Sequence, residues 1–478
     1  MVSSAEIAAR VVNQFPQTVQ MLQQLIPLRS YAGPDAPPGV LHQSAELVAQ
    51  LLRGVGVTDV RVVEAGGGPG VIGQRLVDPA APTVLLYAHH DVQPVANDWS
   101  TDPWQGVEKN GRLYGRGAAD DAAGLALHVA VLAALGEDLP VNVKFLVEGE
   151  EESGSPTLDR LLQQHHAALR ADVAVIADSD NVAVDTPSLT TSLRGLADLT
   201  VTLRVAEHAV HSGMWGGVYL DAPTCLARLI STLHDASGAV AVAGLEPEAC
   251  GPAAGTAGTS EVSGTPGAPE VSGTPGTSEV SGTPGASDLV GEAEVRRAAG
   301  VVDGLKLSGR GSVTDRLWRQ CAIAVIGWDS TSVDASSNTI QPVARARLSL
   351  RVAPGMDPVA AQAALRRHLV EHAPFGTEVT VEDGPTGLGF QADAAAPAYQ
   401  AATLALTEAF GRPLVPLGQG GSIPVAAQLQ AAFPELEVLI TGVEDPDSRA
   451  HAGDESVDLE LLRKAVLGEA LMLCYLAS

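Results

Sequence analysis

Continuous apolar runs alternate along the chain with amphipathic stretches, and this pattern predicts an α/β fold. Apolar runs typical of strands buried on both faces of a sheet occur at 60–63, 83–88, 141–148 and 172–177. Helical periodicity occurs at 4–28, 43–54 and 121–135. Strands that alternate with helices indicate a mainly parallel sheet with right-handed connections.

The pattern changes near Leu196, where a second domain is predicted. Leu199, Val201 and Leu203 alternate with polar residues, as in a half-exposed strand of an antiparallel sheet. A helix at 222–234, a strand at 345–352, a helix at 357–372 and a strand at 378–382 follow. Sheet-like signals return at 438–441, so we expect one domain at 1–195 and 385–478 with an α+β domain, 196–384, inserted in it.

A repeat tract at about 255–290 interrupts the inserted domain. The sequence Glu-Val-Ser-Gly-Thr-Pro-Gly occurs three times, beginning at Glu261, Glu270 and Glu279, and the repeats contain no aromatic residue. A short solenoid is the alternative, but a single valine per repeat offers little to a core. We therefore predict a flexible surface insertion, because such a tract cannot offset its ordering entropy.

Composition excludes several classes of function. The 478 residues carry a formal net charge of −27, which argues against binding to nucleic acid or to an anionic membrane. The four cysteines are far apart, so neither a disulfide framework nor a thiolate zinc site is predicted. The first residues lack a basic segment followed by an apolar one, and no run reaches the roughly 18 apolar residues of a membrane span. We expect a cytoplasmic protein.

Candidate chemistry begins at the end of the 83–88 run, where His89 and Asp91 follow the predicted strand. Ligands of α/β sheets bind at the carboxyl ends of strands. His89 offers an imidazole to a metal, and Asp91 is placed to accept the other ring proton. A His-x-Asp unit alone is weak support for a metal site.

Two acidic stretches add to this unit. Asp120 and Asp121 follow a glycine-rich turn and begin a helix, which favours a metal ligand and a helix N-cap about equally. Four glutamates lie between Glu148 and Glu152. On a solvated helix they would be an ordinary charge run. At the end of a core strand they need cations nearby, so Glu151 and Glu152 are candidates for a base and a ligand.

Two further strands end in possible ligands. Asp178 and Asp180 both follow the 172–177 run, and His451 follows the last strand. Together, His89, Asp120, Glu152, Asp178 and His451 give two histidines and three carboxylates at the ends of one predicted sheet, with Asp180 as the competitor of Asp178. That set suits two Zn²⁺ ions that share a bridging carboxylate, in a hydrolytic site where Glu151 takes and returns a proton.

Several separated motifs now resemble one family. They are Ala88-His89-His90-Asp91-Val92-Gln93-Pro94, Leu113-Tyr114-Gly115-Arg116-Gly117 with Asp120-Asp121, and residues 148–155. The chain resembles the co-catalytic zinc metallopeptidases that include carnosinases, aminoacylase, glutamate carboxypeptidase and succinyl-diaminopimelate desuccinylase. The similarity covers nearly the whole chain outside the repeats and favours the carnosinase-like dipeptidase branch.

The resemblance implies a role for each candidate residue. His89 and Asp178 bind one zinc, Glu152 and His451 bind the other, and Asp120 bridges them. Asp91 orients His89, and Glu151 is the general base that acts with a metal-bridged hydroxide. Asp178 is preferred to Asp180 because Pro187 and Arg194-Gly195 lie where the carnosinase-like branch places them. Two Zn²⁺ per subunit are expected, with Mn²⁺ or Co²⁺ as possible substitutes.

The resemblance also assigns the inserted, ferredoxin-like domain a role as lid and dimerisation domain of a homodimer. His211 would stabilise the oxyanion, Arg351 would hold a substrate carboxylate, and Ser422 would bind substrate. A turn cap for His211 and a surface ion pair for Arg351 are the alternatives. The chain departs from the family pattern at Ala122, Ala209 and Gln419, none of which is a metal ligand.

These expectations combine into one predicted function. The chain is expected to be a zinc-dependent hydrolase of the amide bond in dipeptides or similar small substrates with a free carboxylate. An N-acyl-amino-acid deacylase or desuccinylase is the alternative enzyme. A non-catalytic binding protein with the same fold is the alternative from another class, but it would have lost Glu151 or a ligand, and neither is lost.

Overall fold

The computed structural model describes residues 2–33, 35–95, 99–247, 290–421 and 423–477. Two compact units make up the chain. Unit 1 comprises Met1–Leu196 and Thr386–Ser478, and unit 2 comprises Ala197–Pro385. The nine-residue repeats and Ser422 lie outside the described residues, so what was predicted for them stays a prediction.

The helices below are those of the described residues. The α-helices are α1 (Ser4–Leu25), α2 (Val40–Gly54), α3 (Ala122–Leu135), α4 (Leu158–Gln164), α5 (His166–Leu169), α6 (Ser212–Trp215), α7 (Ala222–Ser231), α8 (Glu292–Ala298), α9 (Val313–Trp318), α10 (Pro358–Glu371), α11 (Pro397–Phe410), α12 (Pro424–Ala432) and α13 (Leu459–Leu476). Short 3₁₀ turns lie at Ile26–Leu28, Gly136–Asp138, Glu151–Ser153 and Pro374–Gly376. None of these helices is long and apolar enough to span a membrane.

The strands of the same residues are β1 (Thr58–Val63), β2 (Gly70–Arg75), β3 (Thr83–His89), β4 (Val107–Lys109), β5 (Arg112–Tyr114), β6 (Asn142–Glu148), β7 (Val173–Ile176), β8 (Ser188–Leu193), β9 (Gly195–Arg204), β10 (Val210–His211), β11 (Ala322–Asp329), β12 (Thr339–Ile340), β13 (Val343–Val352), β14 (Glu378–Gly387), β15 (Phe390–Gln391), β16 (Val415–Gln419), β17 (Glu437–Ile440) and β18 (Ser456–Asp458).

Unit 1 is built on a six-stranded sheet with the order β1-β2-β6-β3-β7-β17. The central strand β3 is solvent-inaccessible from Val84 to His89, which explains its continuous apolar sequence. Strands β6, β3, β7 and β17 run parallel, as predicted, whereas β1 and β2 add an antiparallel edge. The sequence pattern missed β2, because its Gly70 and Gly73 weaken the strand signal.

Apolar helices cover the sheet of unit 1. Helix α3 is buried over most of its length, and its core residues cluster with those of α1, α11 and α13. A buried histidine–glutamate pair lies in this core, where His128 Nδ1 lies 2.8 Å from Glu469 Oε1 and His128 Nε2 lies 3.0 Å from the Tyr87 backbone oxygen. The predicted α/β class is confirmed.

Unit 2 contains a four-stranded sheet with the order β11-β13-β9-β14. In β9 the apolar residues Leu199, Val201 and Leu203 are buried while the intervening positions are more exposed, as their alternation predicted. These residues share a core with apolar residues of helices α7 and α10. Strand β11 pairs antiparallel with β13 at an edge of the sheet. Unit 2 is therefore an α+β unit.

Candidate metal centre

The candidate site lies where three parallel strands of unit 1 end. Strand β3 ends at His89, β6 leads into the 3₁₀ turn that carries Glu151 and Glu152, and β7 leads to Asp178 two residues later. Parallel strands present their carboxyl ends at one edge of a sheet, so residues distant in sequence meet there. Fold topology alone therefore gathers most of the candidate ligands.

The candidate ligands form two groups that share Asp120. Group 1 is His89, Asp120 and Asp178, and group 2 is Asp120, Glu152 and His451; within each group the ligand atoms lie within 4.8 Å of one another. Asp120 Oδ1 lies 2.9 Å from His89 Nε2, and its Oδ2 lies 2.8 Å from His451 Nε2. Each carboxylate oxygen of Asp120 therefore faces a different group, the arrangement expected of a bridging ligand.

Two further distances join the other members of the two groups. His451 Nε2 lies 3.0 Å from Glu152 Oε2, and His89 Nε2 lies 3.9 Å from Asp178 Oδ2. The Glu152 carboxylate also accepts a hydrogen bond of 2.8 Å from Gln93 Nε2. Gln93 belongs to the motif that suggested the family resemblance, but its role as a contact of Glu152 was not predicted.

The electrostatics of the two groups favour bound cations. Hydrogen bonds to Asp120 and Glu152 raise the pKa of His451 to about 10. Burial lowers the pKa of His89, but hydrogen bonds to Asp120 and Asp91 outweigh it and raise that pKa well above its usual value. Burial, and then the charge of Asp120, raises the pKa of Asp178 well above its usual range. All three shifts favour bound protons beside the clustered carboxylates, and divalent cations bound by these nitrogen and oxygen donors would compensate the same negative charge.

The adjacent acids Asp120 and Asp121 perform different tasks. Asp121 is the N-cap of α3, since its Oδ1 accepts from Gly124 N–H at 3.1 Å. Its Oδ2 accepts from the His89 backbone N–H at 3.1 Å. The cap interpretation is therefore realised on Asp121, while Asp120 as a metal ligand stays a prediction.

Asp91 makes further contacts besides the predicted one with His89. Its Oδ1 and Oδ2 each accept a backbone hydrogen bond of 3.1 Å, from Glu151 N–H and Glu152 N–H respectively. His89 Nδ1 lies 2.9 Å from the Asp91 backbone oxygen and 3.5 Å from its carboxylate Oδ1. The Asp91 side chain thus holds the turn with the candidate base and ligand, and its main chain provides the closer contact to His89.

The structure also separates Asp178 from Asp180. Asp180 lies outside both groups, and its Oδ2 accepts a hydrogen bond of 3.0 Å from Gln419 Nε2. Gln419, one of the departures from the family pattern, therefore contacts this second acid.

Each of the four neighbouring glutamates has a distinct environment. Glu148 accepts from the Tyr87 hydroxyl at 2.8 Å, and Glu150 fixes the turn by accepting from Gly68 N–H and Thr157 N–H at 2.8 and 2.7 Å. Glu152 belongs to group 2. The Glu151 side chain is half-buried, and burial raises its pKa to about 7, with His89 opposing and Asp120 reinforcing the shift. A carboxylate with this pKa suits proton transfer near neutral pH.

A buried ion pair beside the two groups was missed by the sequence reasoning. Arg116 Nη1 lies 2.5 Å from Glu455 Oε2, and both side chains are almost completely buried. Arg116 lies in the same stretch as the candidate ligand Asp120, and Glu455 lies in the same stretch as the candidate ligand His451. The available signal was an arginine and a glutamate, which carry opposite charges, in two loops that also contain candidate ligands.

Of the other predicted site residues, His211 and Arg351 lie in unit 2, and Ser422 lies outside the described residues. His211 is exposed, and its Nδ1 accepts from Gly213 N–H at 3.1 Å at the start of α6, which is the turn-cap alternative. Arg351 is half-buried on β13, and among the described residues no carboxylate lies within 4.0 Å of it to form the alternative ion pair. Catalytic or substrate roles for His211, Arg351 and Ser422 stay predictions.

Comparison with known proteins identifies the class to which this chain belongs. Residues 85–473 match the model of the peptidase family M20/M25/M40, so the chain belongs to that family. It is an enzyme, a metallopeptidase, and the predicted resemblance is confirmed.

Particular relatives define the branch. The chain is 32% identical over 469 residues to the cysteinylglycine-S-conjugate dipeptidase of Corynebacterium striatum, covering 96% of each protein. Its fold resembles the di-peptidase Dug1p of Saccharomyces cerevisiae, with a TM-score of 0.76, 22% identity and coverage of 99% of this chain and 98% of the other. Human carnosine dipeptidase 1 gives a TM-score of 0.74 at 22% identity, covering 100% and 99%. The chain thus lies in the carnosinase-like dipeptidase branch.

Proposed function

We propose that this chain is a di-zinc dipeptidase that hydrolyses the amide bond of dipeptides with a free carboxylate. The observation that carries the proposal is Asp120, whose two carboxylate oxygens face two separate groups of nitrogen and oxygen donors at 2.8–2.9 Å. A half-buried glutamate, Glu151, precedes the group 2 ligand Glu152. The dipeptidase activity named for the relative that matches 96% of this chain supports the same substrate class.

The donor set fits two Zn²⁺ ions, with Mn²⁺ and Co²⁺ as possible substitutes. Group 1 would hold one ion and group 2 the other, with Asp120 shared. Such ions, when bound, polarise a carbonyl oxygen and make a water molecule more acidic.

The protein's own contribution is proton transfer by Glu151. The Glu151 carboxylate accepts a proton from the attacking water and donates it to the leaving amine, since its pKa near 7 permits both directions. Asp91 keeps this carboxylate in place by accepting the Glu151 backbone N–H. The buried surroundings of His89 and Asp120 strengthen these electrostatic interactions relative to water.

Substrate recognition is proposed to involve unit 2. The planar guanidinium of Arg351 suits bidentate binding of the substrate carboxylate, and His211 would donate to the developing oxyanion. Ser422 would contact the substrate from the segment after β16.

We also propose a homodimer formed through unit 2. Strand β11 lies at an edge of its sheet and exposes Val325, Ile326 and Trp328, which are 44%, 57% and 42% solvent-accessible. An apolar edge strand is a template for pairing with another chain, and a two-fold axis would satisfy both copies. The acidic chain has no predicted nucleic-acid or membrane partner, and a cytoplasmic location stays a prediction.

The experiment that tests the proposed function compares substrates on the zinc-loaded enzyme. Cysteinylglycine, carnosine and a dipeptide library are assayed beside N-acetyl and N-succinyl amino acids. The proposal requires kcat/KM to be highest for dipeptides. A consistent preference for N-acyl amino acids would identify a deacylase instead, and metal binding without turnover of either class would identify a binding protein.

A further inference from the structure

The buried ion pair of Arg116 and Glu455 joins two loops that carry candidate ligands. Arg116 follows Gly115 in the turn that leads to Asp120, and Glu455 follows four residues after His451. The Arg116 and Glu455 side chains are 1% and 0% exposed. A pair this deeply buried is not generally a strong source of stability, because desolvation offsets most of the attraction. Its location beside the ligands therefore calls for another explanation.

The Glu455 carboxylate binds the backbone of the Asp120 turn directly. It accepts from Gly117 N–H at 3.1 Å, from Ala119 N–H at 3.0 Å and from Asp120 N–H at 3.2 Å. These three bonds fix the direction in which the main chain presents the Asp120 side chain.

The Gly117 backbone also fits this turn closely. Gly117 has φ +77°, and a Cβ there would lie 2.4 Å from Val92 Cγ1. The close fit leaves the main chain little freedom to choose another path to Asp120.

The Arg116 side chain binds the loop of the second histidine. Its Nη1 donates to Glu455 at 2.5 Å while Nη2 donates to the backbone oxygen of Ala452 at 3.2 Å, one residue after His451. In addition, Gly115 N–H donates a hydrogen bond of 3.0 Å to the Glu455 backbone oxygen. The ion pair thus links the Asp120 turn and the His451 loop from both sides.

We propose that Arg116 and Glu455 are positioning residues that set the affinity of group 2 for its metal ion. Group 2 takes two of its three ligands, Asp120 and His451, from the linked loops, whereas group 1 takes only Asp120 from them. Loosening the link therefore weakens metal binding by group 2 more than by group 1. This inference rests on the proposed two-ion site.

The matched control is the buried pair of His128 and Glu469. Glu469 is 1% exposed and its Oε1 lies 2.8 Å from His128 Nδ1, so it resembles Glu455 in being buried beside one nitrogen-bearing side chain. Among the described residues, Glu469 makes no hydrogen bond to either linked loop. Glu469→Gln therefore reports what loss of a buried pair does to stability alone.

The test measures the two zinc dissociation constants of metal-free protein by competition with a chromophoric chelator. Changes in the contacts around metal ligands commonly weaken binding about 10- to 100-fold. Glu455→Gln should weaken the group 2 step by that factor and the group 1 step by less than about threefold. Excess zinc should restore kcat toward the wild-type value. Glu469→Gln should lower the melting temperature and leave both constants unchanged.

Zinc binding by a His451→Ala variant shows which dissociation constant belongs to which group, because this change removes a candidate ligand from group 2 only. Adding Glu455→Gln there should change the remaining group 1 constant by less than about threefold. Arg116→Lys gives a second route if Glu455→Gln does not fold, since it keeps the charge but loses the forked contact to Ala452, and it should also weaken the group 2 step.

The inference is overturned if Glu455→Gln or Arg116→Lys leaves the group 2 constant unchanged, or weakens both steps equally. Failure of the proposed function gives a different result, in which the wild-type chain binds fewer than two zinc ions or hydrolyses no dipeptide.

Discussion

Replacing Asp91 with asparagine should reduce kcat/KM because the change removes one of two hydrogen bonds that hold the Glu151–Glu152 turn. The two carboxylate oxygens of Asp91 accept from two different backbone N–H groups, each at 3.1 Å. An asparagine side chain has only one acceptor oxygen. Its amide nitrogen, which is a donor, would therefore face the second backbone N–H, which is also a donor.

The expected magnitude follows from the burial of this contact. Asp91 is 1% exposed, so its side of this contact is closed to bulk water, while the donors Glu151 and Glu152 are partly buried. A buried donor without a partner costs about 1–3 kcal/mol. If this cost displaces Glu151 from the position that the proposed proton transfer needs, kcat/KM at saturating zinc should fall by about 5- to 150-fold. The assay is steady-state hydrolysis of cysteinylglycine, with zinc content measured in the same samples.

Asp458→Asn is the matched control. Asp458 caps α13 and also accepts from two successive N–H groups, Glu460 at 3.0 Å and Leu461 at 2.9 Å, but with the same oxygen, Oδ1. An asparagine oxygen can accept both bonds, so kcat/KM should stay within about twofold of wild type. Full activity of Asp91→Asn at saturating zinc would refute the reasoning, and so would an equal loss in Asp458→Asn.

Four other changes have defined outcomes. Glu151→Gln should retain zinc and lose about 10²- to 10⁴-fold in kcat, measured with metal analysis, and near-normal turnover in a fully loaded sample would remove Glu151 as the base. Chains with His211→Ala and chains with Glu151→Gln should each be nearly inactive alone, and a mixture of the two should regain activity when subunits exchange between dimers. A mixture that exchanges subunits and stays inactive would place His211 within its own chain's site or outside catalysis. Burial raises the pKa of Glu148 to about 7 from 4.5, so the folded metal-free protein retains a proton that the unfolded chain has released. Its melting temperature should therefore fall as pH rises from 5 to 8, and Glu148→Gln should flatten that profile; an identical slope in the variant would contradict the shift. Deleting residues 260–285 with a short flexible link should leave activity and melting temperature nearly unchanged, and a chain that no longer folds would show that the tract is ordered.

The sequence predicted the fold where hydrophobic patterns were strong. Strand β3 is buried on both faces and reads as an unbroken apolar run, and β9 is buried on one face and reads as an alternation. Strand β2 was missed because its residues 70–75 include two glycines and end in the polar residues Gln74 and Arg75. Nothing local in that segment shows that it pairs antiparallel with β6, since strand pairing is decided by tertiary contacts.

The meeting of His89, Glu152 and Asp178 could be predicted because the carboxyl ends of parallel strands converge, whereas Asp120 and His451 lie in loops that do not directly follow a strand of that sheet. Fine contacts could not be predicted in the same way. The sequence shows that Asp91 lies two residues from His89, but only the fold brings Glu151 N–H and Glu152 N–H to its carboxylate. The pairing of Arg116 with Glu455 spans 339 positions, a separation at which no periodicity or spacing links two residues.

The central claim is that two bound ions make this chain a dipeptidase. Metal-free protein is titrated with zinc, and bound zinc and cysteinylglycine hydrolysis are measured on the same samples. We predict negligible hydrolysis without metal, two ions bound per chain at saturation, and a hydrolysis rate that reaches its maximum as the second ion binds. Full hydrolysis in rigorously metal-free protein, or two bound ions without hydrolysis of any dipeptide, would contradict the account.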